Sequence, residues 1–201
     1  MDSDKIENNK GNSEGGSIVG DVLGLSLETI KIVIISVIVI IGIRAYVMQP
    51  FFVSGSSMEP NFQDRDYLIV DEISYKLDDP KRGDVVIFRY PKDTTQFFIK
   101  RIIGLPGEKI EINNNVIKIY NKDHPNGFVV EESKYIPAAN ATIGNYVTEL
   151  KNDEYYVLGD NRGASADSRW WGVLSRHLIL GKAFLRAWPF DDIAIFENVQ
   201  Y

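Results

Sequence analysis

The chain has 201 residues, 44% of them hydrophobic and 25% charged, enough for one sizeable core and ordinary for a folded protein. Its formal charge of −6 argues against nucleic acid as a partner, because a phosphate backbone demands a basic face. The absence of cysteine excludes disulfides, thiolate metal sites and cysteine nucleophiles; the two histidines, His124 and His177, lack metal-ligand spacing, so no metal or other cofactor is expected.

Residues 1–29 begin polar and acidic, with a Gly/Ser/Asn-rich stretch through Asn8, Gly11, Asn12, Ser13 and Gly15. Such a composition buries too little apolar surface to offset chain entropy, so a disordered tail is expected there. Residues 30–48 then turn almost wholly to Ile and Val, with Lys31 and Arg44 the charged residues. A membrane-spanning helix needs about 20 apolar residues, and this run reaches that length if Lys31 and Arg44 snorkel into the two interfaces. A cleaved signal would start near the N-terminus with basic residues, and a core helix would carry an amphipathic stripe; a retained single-pass anchor fits better than either.

Residues 49–201 read as short strands punctuated by turns. Tyr67 to Val70, Val85 to Phe88, Phe97 to Ile103, Lys109 to Ile112, Val116 to Tyr120 and Tyr155 to Leu158 are rich in β-branched and aromatic residues. Between them lie Lys81-Arg82-Gly83-Asp84, Gly104-Leu105-Pro106-Gly107 and Asn113-Asn114-Asn115, all turn-forming. The stretch 121–152 reads as an irregular insertion. The soluble part is therefore expected to be mainly β.

Three segments carry chemistry. Ser54-Gly55-Ser56-Ser57-Met58-Glu59-Pro60 sets a serine among small residues just beyond the anchor. Phe98-Ile99-Lys100-Arg101-Ile102-Ile103 places a lysine inside an otherwise apolar strand. Gly159-Asp160-Asn161-Arg162, followed by Ser165-Ala166-Asp167-Ser168-Arg169, forms a polar cluster after a hydrophobic strand. In this order, and with Arg82-Gly83-Asp84-Val85-Val86-Ile87-Phe88, they resemble the sequence boxes of type I signal peptidases. The resemblance implies a single-pass membrane protein of the cell membrane, with an extracytoplasmic β-rich catalytic domain. It also implies a Ser57/Lys100 dyad and preprotein substrates with small residues just before the cut. Ser165 would hydrogen-bond the Lys100 amine, with Asp160, Asp167, Arg101 and Arg169 as supporting ion pairs. The chain departs from the pattern at Gly163-Ala164, at Asn61, and at Gly55, where one branch has an oxyanion-binding serine.

The dyad chemistry also follows from the residue types. A serine hydroxyl needs a neighbouring base to become nucleophilic, and lysine can serve if desolvation lowers its pKa. On a strand Lys100 shares a face with Phe98 and Ile102, and Arg101 with Ile99 and Ile103, so periodicity alone does not choose between them. Chemistry does, because arginine does not deprotonate. The oxyanion region is expected around Gly55, Ser56 and the Ser57 N–H. An extended segment there would turn Ser54 and Ser56 away from the face shared by residues 55 and 57. Two alternatives compete: a Ser/Lys protease for one dedicated precursor, and a non-catalytic homologue that binds signal peptides.

Overall fold

A computed structural model of the chain describes residues 28–40, 42, 48–137 and 142–196. Two compact units result, residues 1–43 and residues 44–201. In the first, residues 28–40 form a helix, α1. It begins inside the segment expected to be tail; residues 1–27 lie outside the described residues. Met48, expected to end the anchor, instead opens the first strand, β1 (Met48–Phe52). The remaining part of the expected span, residues 41 and 43–47, falls outside the described residues. Among the described residues no helix is long and apolar enough to cross a membrane.

The second unit is built from antiparallel strands. β1 pairs with β2 (Tyr67–Asp71), which pairs with the long β11 (Ile179–Trp188). β11 continues into β3 (Val85–Tyr90), β4 (Asp93–Gly104), β9 (Glu154–Leu158) and β10 (Leu174–Ser175), while β12 (Ala194–Ile195) adds to β11. A second, four-stranded sheet runs β7 (Phe128–Val129), β6 (Val116–Tyr120), β5 (Lys109–Asn113), β8 (Tyr146–Glu149). The insertion expected to be irregular thus supplies both edges of this small sheet. Two short helices, α2 (Ser74–Leu77) and α3 (Ser168–Trp171), complete the unit.

Local sequence explains most of these elements. Asn114 and Asn115 adopt positive φ (49° and 65°) between the paired Asn113 and Val116, as a two-residue hairpin matched to strand twist requires. The run Val85-Val86-Ile87-Phe88 is apolar without alternation because β3 is covered on both faces. Val85 and Ile87 pack with Val53, Met58, Phe62 and Leu68, whereas Val86 and Phe88 pack with Ile102, Tyr155 and Val157. β9 behaves likewise, sending Tyr156 and Leu158 to the isoleucines of the small sheet. Each such side chain contributes about 1.5–3 kcal/mol when fully buried, so β3 and β9 form a stiff floor beneath the polar groups described next.

Candidate active site

The segment that carries Ser57 leaves β1 and returns to β2 through residues 53–66. Val53 and Met58 are buried in one apolar cluster, and Ser54, Gly55 and Ser56 between them are exposed. The segment is bent rather than extended: Gly55 has φ +89°, a conformation that favours glycine, and residues 57–61 form turns. The expected alternation of residues 54 and 56 against 55 and 57 therefore does not apply.

Lys100 sits where β4 passes from the surface into the core, opposite Val86, and is only 3% exposed. Its Nζ donates to Ser57 Oγ at 2.7 Å and to the Ile99 carbonyl at 2.7 Å, and lies 5.5 Å from the centre of the Phe98 ring. Burial pushes the amine down to about 8, while the negative charges of Asp167 and Asp160 act in the opposite direction. The neutral amine is thus accessible near physiological pH, and in that state the Ser57 hydroxyl donates to the Nζ lone pair. Such a pair can deliver an alkoxide-like oxygen to a carbonyl.

Arg101 leaves β4 on the other side. Its Nε and Nη2 donate to the two Asp160 oxygens at 2.8 and 2.6 Å, its Nη1 donates to the Gly83 carbonyl, and its guanidinium lies over the Tyr135 ring. Asp160, fully buried, also accepts from Asn61 Nδ2 at 2.8 Å. Asp167 binds Arg169 through both oxygens, caps α3 and accepts from the Gly159 N–H. Gly159 itself is required by close approach: a Cβ there would lie 2.2 Å from Ser165 Oγ and 2.5 Å from the Ser57 carbonyl oxygen.

Ser165 therefore lies close to Ser57, yet among the described residues its hydroxyl has no hydrogen-bond partner. The bond expected from it to Lys100 is not formed, because Nζ is directed at Ser57 Oγ and at the Ile99 carbonyl. In the expected oxyanion region, the Gly55 N–H is occupied by Asp64 Oδ1 at 2.8 Å. Sequence reasoning also missed Glu132, which holds the buried Arg162 guanidinium at 2.8 and 2.5 Å and ties the 121–152 stretch to the Gly159–Arg162 turn. Arg186, which pairs with Asp66 at the base of the Ser57 segment, was missed as well. Neither had a local signal; both partners are far apart in the chain.

Beside Ser57 and Lys100 opens a cleft of ≈440 Å³, walled by Phe51, Leu68, Ile87, Phe97, Ile99, Ala164 and Ala166 among others. β4 pairs with β3 from Asp93 to Arg101 but with β9 only from Arg101 onward, which leaves one edge of residues 97–99 without a strand partner among the described residues.

The family described as "Signal peptidase, peptidase S26" matches residues 26–188, a span that holds all three polar segments. The chain belongs to this family. It is 40% identical to "Probable signal peptidase I-2" of Synechocystis sp. over 86% of this chain and 78% of that one. With "Signal peptidase I" of Leptolyngbya laminosa the identity is 35%, over 83% and 82% of the two chains. With "Signal peptidase IB" of Staphylococcus aureus (strain Mu50) it is 31%, over 83% and 91%. A solved signal peptidase I from Enterococcus faecalis V583 is 27% identical, covers 52% of this chain and 97% of its own, and superposes with a TM-score of 0.43. The chain is accordingly a serine endopeptidase that removes signal peptides from preproteins.

Proposed function

We propose that Ser57 is the nucleophile and Lys100 the general base of this signal peptidase. The observation that carries the reading is the 2.7 Å contact between Nζ and Oγ, made by a lysine buried enough to lose its proton near pH 8. Ser57 Oγ attacks the scissile carbonyl as its proton passes to Nζ. The ammonium then protonates the departing amine, leaving an acyl-enzyme and a neutral lysine. A water, deprotonated by the same Nζ, releases the signal peptide and regenerates the serine. Asp160, Asp167, Arg101 and Arg169 hold the turn around this pair, and Ser165 lines its far side without touching the amine.

The substrate lies extended along the unpaired edge of residues 97–99, adding a strand whose alternate side chains enter the cleft. Phe51 and Phe97, which meet edge to face at 5.6 Å, and Ala164 and Ala166 line this cleft, and small side chains next to the bond let the peptide backbone approach Ser57. The testing experiment incubates the detergent-solubilised full chain with preproteins and maps the products by mass spectrometry. Cuts are expected after small residues at the first and third positions before the bond. Equal rates for a substrate with phenylalanine at both would overturn this reading of the cleft.

The pH profile is a second check. Because the neutral amine is the active form, kcat/KM climbs with pH through about 8 and then levels. Replacing His124 and His177 together by alanine leaves that limb in place; its disappearance would assign the proton transfer to a histidine.

The apolar run that begins in α1 anchors the chain in the cell membrane by a single span, with the catalytic unit on the extracytoplasmic side, where preproteins present their cleavage sites. One feature of the catalytic unit supports lipid contact independently. Phe52, Tyr67 and Trp188 lie in register across β1, β2 and β11, with Phe190 beside Trp188. Phe52 and Phe190 are 73% and 70% exposed, an aromatic row of the kind that settles at a membrane interface.

A further inference from the structure

The bond-making atoms are positioned by backbone that belongs to no strand or helix. Five hydrogen bonds decide how Ser54 to Ser57 lie. Val53 N–H donates to the Asp66 carbonyl at 2.9 Å, and Gly55 N–H to Asp64 Oδ1 at 2.8 Å. The Ser56 carbonyl accepts from the Glu59 N–H and from Asn161 Nδ2, both at 3.1 Å, and the Ser57 carbonyl accepts from the Asn161 N–H at 3.1 Å. In these five bonds the side chains that take part are those of Asp64 and Asn161.

Their roles follow from geometry. The β1–β2 ladder ends at Phe52 and Tyr67, and one further exchange joins Val53 to Asp66 and Arg65. Arg65 then turns the chain at φ +72°, so no main-chain carbonyl continues the ladder to the next N–H, that of Gly55. The Asp64 carboxylate stands in for it and fixes the glycine at its positive φ. Asn161 acts on the next peptide but one. In a trans peptide the C=O and N–H point in opposite directions. Holding the Ser56 carbonyl therefore fixes the direction of the Ser57 N–H, the natural donor to the oxyanion that develops when the adjoining hydroxyl attacks.

We propose that Asp64 and Asn161 are positioning residues that orient the oxyanion-binding peptide from outside the nucleophile segment. The inference rests on Ser57 being the nucleophile. It assigns the two side chains an effect on the tetrahedral state and little on substrate binding, since neither faces the cleft as a wall.

The test compares Asp64→Ala, Asp64→Asn, Asn161→Ala, Asn161→Asp and Ser57→Ala in the detergent-solubilised full chain. Losing an oxyanion donor costs about 10²–10³ in rate, and misorienting one by loss of a single tether is expected to cost roughly tenfold in kcat, with KM changed by less than about twofold. A peptide aldehyde, which forms a tetrahedral adduct with the serine, loses affinity by the same factor, whereas the released signal peptide binds as before. Asp64→Asn, which keeps an acceptor oxygen, restores most of the rate; Asn161→Asp, isosteric but without the donor, does not. Wild-type kcat in Asp64→Ala and Asn161→Ala beside an inactive Ser57→Ala would overturn this inference alone. So would equal losses of aldehyde and product binding, which mark a deformed cleft. A Ser57→Ala protein that cleaves at the wild-type rate would instead remove the nucleophile assignment beneath it.

Discussion

Replacing Ser57 by alanine, or Lys100 by methionine, lowers turnover of a preprotein by about 10³-fold or more, with thermal unfolding nearly unchanged. Alanine removes the hydroxyl that Nζ contacts, and methionine keeps most of the apolar stem of lysine while deleting the base. Methionine is the better probe of folding than arginine, because position 100 is buried and opposite the apolar Val86, and a permanent guanidinium would have to be accommodated there. The two losses are not additive: the double variant is expected to be about as slow as either single one, since the pair acts as a unit. Near-normal cleavage by a well-folded Lys100→Met protein would exclude the dyad. Multiplicative losses in the double variant would argue that the two residues serve separate steps.

The largest effect on stability is expected at the ion pair behind the dyad. Arg101→Met leaves the Asp160 carboxylate buried, with Asn61 Nδ2 as its remaining side-chain donor. Breaking a buried pair from one side typically costs about 3–5 kcal/mol, a large share of the roughly 5–15 kcal/mol that holds a domain folded. For a unit of this size that corresponds to a fall of roughly 6–20 °C in melting temperature. Asp160→Ala is expected to cost a similar amount by stranding the guanidinium, though Arg101 retains the Gly83 carbonyl and the Tyr135 ring. Replacing both partners by apolar residues of similar volume recovers much of the loss, because no uncompensated charge stays behind. Melting curves of the two single variants and the double decide the matter. Three equal curves would mean that the pair contributes charge to the site without holding the turn.

The strands carrying the chemistry were legible because their signal is local. The apolar runs at 85–88, 97–103, 109–112, 116–120 and 155–158 are dictated by burial on one or both sheet faces, and each became a strand or part of one. Residue chemistry alone put Lys100 ahead of Arg101 as the candidate base, since the proton chemistry of an amine and a guanidinium differs whatever the fold. By contrast, β11 was not read from its sequence. Its register shifts against both neighbours, and it buries Arg186 near one end, so the two-residue period is broken where the strand is longest. Nor was β1, where Gln49 and Pro50 interrupt the pattern and a proline argues against a strand by sequence alone. The edge strands β7 and β8 are short, and they exist because β5 and β6 offer them partners.

Within the site the same division holds. Residue types fixed which groups can act as nucleophile, base and ion pair. Which donors meet which acceptors was set by three-dimensional approach: Asp160 reaches Arg101 across 59 positions, and Asn161 reaches Ser56 across 105. The direction of the Lys100 amine, toward Ser57 and the Ile99 carbonyl rather than toward Ser165, and the bend at Gly55 that ties its N–H to Asp64 belong to the same class. A side-chain rotamer or a single backbone turn selects among several chemically equal partners, and only the packed chain supplies the distances that make the selection.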